Sequence, residues 1–317
     1  EKGLYFIELD SGTQIYTQKI IIYYAFYIHI ISRPILLLLL IFVLFSNKSI
    51  AAAVEFDLFE TEIHFKPMAQ ADTLKLNGAY LKSYWTCTKH IVSSPFHWSG
   101  KQWLTAGLIL GGTAALYPAD QSIKDFTQGN QNKYTDYLFH GAEVFGNPAY
   151  TFPFLALNFV YGAIFKDQTA KNVSLLGLQS LLISSGFVYI LKYGTQRRRP
   201  KTGDPYDTWW GSPFSLNNNS FPSGHSSSAW SIATTIALEF KGHPFIPAIA
   251  YTLASLTALS RVYENYHWSS DIFLGSAIGF FTAQAVHRFH HGGINKNLTI
   301  APFYYQEAKG LALTYSF

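Results

Sequence analysis

Six apolar runs limit what this chain can fold into. They lie at roughly 103–118, 150–165, 173–191, 226–240, 245–260 and 272–287, and they are rich in Ala, Leu and small residues without strict alternation. Alternation would mark half-buried strands, so its absence over runs this long predicts helices. Most runs are about 15 or 16 residues, short of the ~20 that a spanning helix usually needs. They suit the core helices of a bundle or short, tilted spans. The polar segment 131–146 predicts a further, amphipathic helix. The tail "NLTIAPFYYQEAKGLALTYSF" changes period, because Leu311, Leu313, Tyr315 and Phe317 alternate with small or polar residues after Gly310. That pattern predicts a β-hairpin. The expected fold is all-α, a bundle of about six core helices, with a small C-terminal β-hairpin.

Composition narrows the class. Of 317 residues, 49% are hydrophobic and 17% aromatic, and only 13% are charged, against roughly 25% charged in soluble domains. Low charge and many aromatics suit large buried surfaces or a membrane interface. The net charge is +4, and no basic run is interleaved with aromatics, so a nucleic-acid partner is not expected. A single cysteine, Cys87, excludes an intrachain disulfide and a cysteine-based metal site. The HExxH, Walker and GxGxxG patterns are absent.

From Ile20 to Phe45 the chain is almost wholly apolar. Its second half, "RPILLLLLIFVLFSNKSIAAAVEF", has the basic start, greasy core and small-residue site of a secretory signal. An uncleaved anchor fits the same run, and export is the favoured reading. The chain begins without Met, and its first residues carry little weight. The expected organisation is a signal or anchor segment (1–53), an N-terminal extension (54–100), a helical domain (101–291) and the hairpin tail (292–317). The expected location is the cell envelope, membrane-associated or periplasmic.

Three polar clusters fall at helix ends. "KYGTQRRRP" holds Lys192 and, six residues later, Arg199-Pro200. "PSGH" spans Pro222 to His225. "SRVYENYHWSSD" holds Ser260-Arg261, then His267 after five residues and Asp271 after three more. Together they resemble the superfamily of type 2 phosphatidic acid phosphatases, bacterial acid phosphatases and vanadium-dependent haloperoxidases. Its signature is K-x6-RP, PSGH and SR-x5-H-x3-D. Each fixed letter is present in order and at the right spacing, and the resemblance covers roughly residues 100 to 290. It implies phosphoester hydrolysis without a cofactor or metal, through a phosphohistidine on His267. His225 would serve as acid and base, Asp271 would orient His267, and Lys192, Arg199, Ser223, Gly224 and Arg261 would bind phosphate.

The residues themselves agree. If consecutive helices run antiparallel, all three clusters share one end of the bundle. Three cations there suit a dianionic phosphoryl group, and PSGH at a helix start offers free N–H groups to an oxyanion. His267 and Asp271 are expected to share a helix face. Asn265 stands where many relatives of this type have Gly, and Asn tolerates a left-handed backbone. Arg197 and Arg198 are expected to be solvated, and "HRFHH" (His287 to His291) reads as a solvated helix end ahead of a metal site. The aromatic loop "YDTWWGSPF" (206–214) suits either a lipid tail or plain packing.

The expected substrate is a lipid phosphate or pyrophosphate in a membrane. A soluble, exported acid phosphatase of broad specificity is the alternative, a haloperoxidase a more distant one, and a non-catalytic oxyanion-binding protein the reading from another class. One tension stands in the topology. If the N-terminal signal is removed and all six helices span, the site faces the cytoplasm, whereas lipid phosphatases of this type usually face outward.

Overall fold

The computed structural model describes residues 74–211, 218–243 and 245–291, together with the backbone of four strands near the chain ends. Strands β1 (Leu4–Asp10) and β2 (Ile15–Ile21) pair antiparallel. Nine α-helices follow among the described residues: α1 (Gly78–Ser93), α2 (Gly100–Leu116), α3 (Asp120–Gly129), α4 (Lys133–Glu143), α5 (Pro148–Ile164), α6 (Gln168–Thr195), α7 (Gly224–Glu239), α8 (Phe245–Tyr263) and α9 (Ser269–His291). Strands β3 (Leu298–Tyr305) and β4 (Ala308–Tyr315) form the expected tail hairpin, with Pro302 opposite Leu311.

The six apolar runs became α2 and α5 to α9, and the polar segment became α4. The fold is an all-α bundle. Two helices were not foreseen. α1 lies in the N-terminal extension, and α3 between the first apolar run and the polar segment. The signal or anchor at 1–53 lies almost wholly outside the described residues.

Local chemistry sets where the helices begin and end. The Asn147 side chain accepts from the Ala149 N–H at the start of α5, with Pro148 in the first position, where a missing N–H costs nothing. Asp167 caps α6 in the same way through Ala170. α6 stops where Gln196 turns left-handed (φ 49°) and donates its N–H to the Lys192 carbonyl. This is an αL cap. It leaves Lys192 in the last helical turn and sends the chain out through Arg197 to Pro200.

α7 is the central helix, packed against α6, α8 and α9. Its interior is built from small residues: Ser226 to Ser228, Ser231, Thr234 and Thr235 are all buried. Ala229 and Ala233 meet Ala250 and Ala254 of α8, and Ile232 joins Leu155 and Leu181 of α5 and α6. α9 comes closest. A Cβ on Gly275 would run into the Ser223 carbonyl, and one on Gly279 into that of Ser227. The missing side chains let two backbones touch, a mode of packing common between membrane helices.

Candidate active site

The three polar clusters converge at one end of the bundle. Lys192 comes from the last turn of α6, Ser223, Gly224 and His225 from the start of α7, Arg261 from the end of α8 and Asp271 from the start of α9. Hydrogen bonds tie the segments to each other. Ser223 N–H donates to the Asp271 carbonyl at 3.0 Å, and Ser220 N–H to that of Arg197 at 3.0 Å. Lys192 Nζ donates to the carbonyls of Asn219 and Ser220. Arg199 Nε donates to Asn219 Oδ1 at 3.0 Å.

The α8–α9 connection places His267. Asn265 is left-handed (φ 60°), as its residue type allows. Tyr266 N–H returns to the Arg261 carbonyl at 3.0 Å and Asn265 N–H to that of Val262 at 3.0 Å. These two bonds form a Schellman motif, which ends α8 and folds the chain back over its last turn. His267 therefore lies in the loop before α9 and does not share a helix face with Asp271. Asp271 is the third residue of α9, and its Oδ2 accepts from the Trp268 N–H at 2.9 Å, capping that helix.

Asp271 holds the geometry of His267. The histidine Nδ1 faces Asp271 Oδ2 and Ser220 Oγ, each at 3.5 Å, so Nε2 is the ring nitrogen turned away from the carboxylate. Ser220 Oγ donates to Asp271 Oδ2 at 2.5 Å. Burial pushes the Asp271 carboxyl up, but Arg197, His267 and the Ser220 hydroxyl outweigh it and hold it at about 2. Burial takes His267 well below its ordinary value, opposed by Asp271 and reinforced by Lys192 and Arg199. It is a neutral imidazole near pH 7.

Arg197 overturns the expectation of a solvated side chain: it is fully buried (0% exposed). Its guanidinium reaches Asp271 Oδ1 at 2.6 Å and Asp120 Oδ2 at 2.7 Å. Both Nε and Nη2 donate to the Tyr206 carbonyl, and the group stacks against Tyr117, Trp209 and Trp268. Asp120 in turn accepts from Ser269 Oγ and from both the N–H and Oγ of Ser270. Arg198 follows expectation more nearly, half-exposed against Asp204 at 2.8 Å. Sequence reasoning missed Arg197, Asp120 and Ser220. The one available signal was an aspartate, Asp120, in an otherwise acid-poor stretch.

The aromatic loop is divided. Trp209 packs, donating to Tyr117 Oη at 2.7 Å and meeting Phe221, whereas Trp210 is exposed. Residues 212–217 of that region lie outside the described residues.

The cations are arranged for an anion. Arg261 is buried; its Nη1 bridges Glu143 and Glu264 at 2.7 Å each, while its Nε is buried without a partner. Tyr266 lies under Arg199, Lys201 and Arg261. Burial, Arg261, Arg199 and Lys192 together bring His225 down to about 4 against the pull of Glu143, so those three cations act on one ring. At the start of α7, the Ser223 side chain accepts from the Ser226 N–H, and Gly224 lies next to the Lys192 side chain. Beside Arg261 a cavity of about 360 Å³ is lined by Gln131, Asp136, His140, Glu143, Tyr263, Glu264 and Tyr266. Burial and Glu143 raise Glu264 to about 7 despite Arg261. The arrangement gathers two imidazoles, three cations and the start of α7 at one end of the bundle.

Residues 174–294 match the model of the PAP2 superfamily. Lipid A 1-phosphatase of Porphyromonas gingivalis is 40% identical over 67 residues, which is 21% of this chain and 15% of that protein's length. The crystal structure of Aquifex aeolicus LpxE superposes with a TM-score of 0.43 at 23% identity, over 54% of this chain and 95% of that one. A transmembrane PAP2-type phosphatidylglycerolphosphate phosphatase from Bacillus subtilis gives 0.44 at 20% identity, over 67% and 94%. The matched residues 174–294 hold all eight residues of the expected site, so that segment is similar to the PAP2 superfamily.

Proposed function

We propose that this protein is a metal-independent phosphatase acting on a lipid phosphate or pyrophosphate through a phosphohistidine. The observation that carries the reading is that Lys192, Arg199 and Arg261 act on the partly buried His225, and Lys192 and Arg199 also on the buried His267, which a carboxylate backs. Nε2 of His267 attacks phosphorus while the bond to the leaving oxygen breaks and His225 protonates that oxygen. Water then attacks the phosphoryl group, giving a proton to His225, and the N–P bond breaks to release phosphate. The cations, together with Ser223 and the N–H groups opening α7, stabilise charge on the equatorial oxygens. Asp271 holds the ring and balances the positive charge it gains.

The lipid part of the reading rests on the surface. Segment Gln168–Thr202 and helix α8 are long and apolar enough to cross a bilayer. Leu104, Leu108, Leu157, Val160, Ile190 and Leu259 are exposed on the bundle, apolar surface that suits contact with lipid. We infer a membrane-associated enzyme of the cell envelope. The name of the P. gingivalis relative adds a glycolipid 1-phosphate to the substrates worth trying.

The test is phosphate release by detergent-purified protein in EDTA, comparing phosphatidic acid, a glycolipid 1-phosphate, an isoprenyl pyrophosphate and p-nitrophenyl phosphate. Turnover that requires a lipid tail is expected. Equal turnover on p-nitrophenyl phosphate would favour a broad acid phosphatase, and peroxide-dependent halide oxidation with vanadate a haloperoxidase. Loss of turnover in EDTA, restored by a divalent ion at the phosphate site, would overturn the reading.

A further inference from the structure

The far end of the bundle carries a second constellation. Glu239 closes α7, and its side chain is buried (5% exposed). His287 and His291, four apart on α9, bring their Nε2 atoms to 3.2 and 3.0 Å from its Oε1. Far from forming a solvated helix end, both rings are largely covered and stack with centroids 4.4 Å apart.

Both contacts lie at ion-pair distance. Glu239 Oε1 and His291 Nε2 are buried without a partner of proper geometry. Three atoms able to donate a lone pair to a cation therefore lie together. All three ligand atoms fall within 4.8 Å of each other. Tetrahedral zinc with bonds of ~2.0–2.1 Å sets neighbouring ligands about 3.4 Å apart, close to the two separations between Glu239 and the histidines. The free oxygen Oε2 accepts from Nδ2 of the fully buried Asn172 on α6, at 3.2 Å. An outer hydrogen bond that fixes a ligating carboxylate is a regular part of metal sites.

We propose that Glu239, His287 and His291 form a divalent metal site of the zinc class, with Asn172 as the positioning residue for its carboxylate. The fourth position belongs to solvent, which both histidines reach. The site is structural. Along α7, Glu239 lies about 22 Å from Gly224 at 1.5 Å per residue, too far for the ion to act on phosphate. It fastens the ends of α7 and α9, with α6 held through Asn172, opposite the end where the same helices carry the phosphate cluster. This inference is independent of the proposed reaction.

The experiment is a Zn²⁺ titration of chelator-stripped, detergent-purified protein by calorimetry, with Co²⁺ absorption as a second readout. One equivalent is expected, with a four-coordinate Co²⁺ spectrum and a higher Tm. Glu239→Gln and His291→Ala should each lose that equivalent while keeping lipid-phosphate turnover, and Asn172→Ala should weaken binding about 10- to 100-fold. Absence of stoichiometric binding in the unaltered chain would overturn the proposal, a result that needs no variant to fold. So would binding that survives both substitutions.

Discussion

At the residue scale, the arginine that sequence reasoning set aside holds the site together. Arg197 sits inside a run of three arginines, where the simplest expectation is a solvated loop, and its burial depends on Asp120, some 77 positions earlier. No local pattern reveals so distant a pairing. By contrast, Lys192, Arg199, Arg261, His225, His267 and Asp271 were legible because they stand at the spacing of the family signature that the sequence resembles. Replacing Arg197 with Met would strand two buried carboxylates, and removing one partner of a buried pair costs about 3–5 kcal/mol. Chemical unfolding in detergent should show a loss of that size, with Arg197→Lys falling between. His225 gives a prediction in pH. Its ligand-free value of about 4 leaves it neutral at pH 6, and a bound dianion that offsets the three cations raises that value. Sulfate carries no proton at this pH, so its binding should draw up to one proton from solvent. Calorimetry in two buffers of different ionisation heat would measure the uptake, and His225→Gln should abolish it. Proton release on binding would contradict the assignment of His225 as the acid.

At the element scale, the apolar runs announced the helices, and their small residues announced close packing, but where a helix ends depends on a cap. His267 and Asp271 look like helical neighbours because they stand four positions apart. The Schellman motif at Asn265 breaks the helix between Arg261 and His267 and leaves only Asp271 inside α9. α3 escaped notice because it is short and amphipathic, its covered side serving mainly to place Asp120. The α7–α9 contact can be tested directly. Ala at Gly275 would push on the Ser223 backbone, and Ala at Gly279 on that of Ser227. Overpacking of this kind costs about 1–3 kcal/mol, so both variants should lose stability in unfolding measurements. Only Gly275→Ala moves the residue that opens the oxyanion-facing turn, so its kcat should fall further than that of Gly279→Ala. Equal kcat in the two would separate the packing from the chemistry.

At the scale of the whole molecule, the bundle is polarised. Cations and imidazoles gather where α6 and α8 end and α7 and α9 begin, while a carboxylate and two histidines gather at the opposite ends of α7 and α9. Connectivity makes this possible, because consecutive helices that reverse direction return every second connection to the same side. The sequence therefore disclosed the phosphate end through its motif spacing, whereas the far cluster depends on Glu239 facing a helix some 50 residues further along. The central claim is that His267 carries the phosphoryl group between two half-reactions. Its most direct test is acid-free quenching of the enzyme during turnover of a ³²P-labelled lipid phosphate in EDTA, followed by analysis of label on the protein. Base-stable, acid-labile label at His267, absent in His267→Ala, is the expected result, with turnover in that variant down by at least ~10³-fold. Undiminished turnover in His267→Ala, or label on another residue, would contradict it.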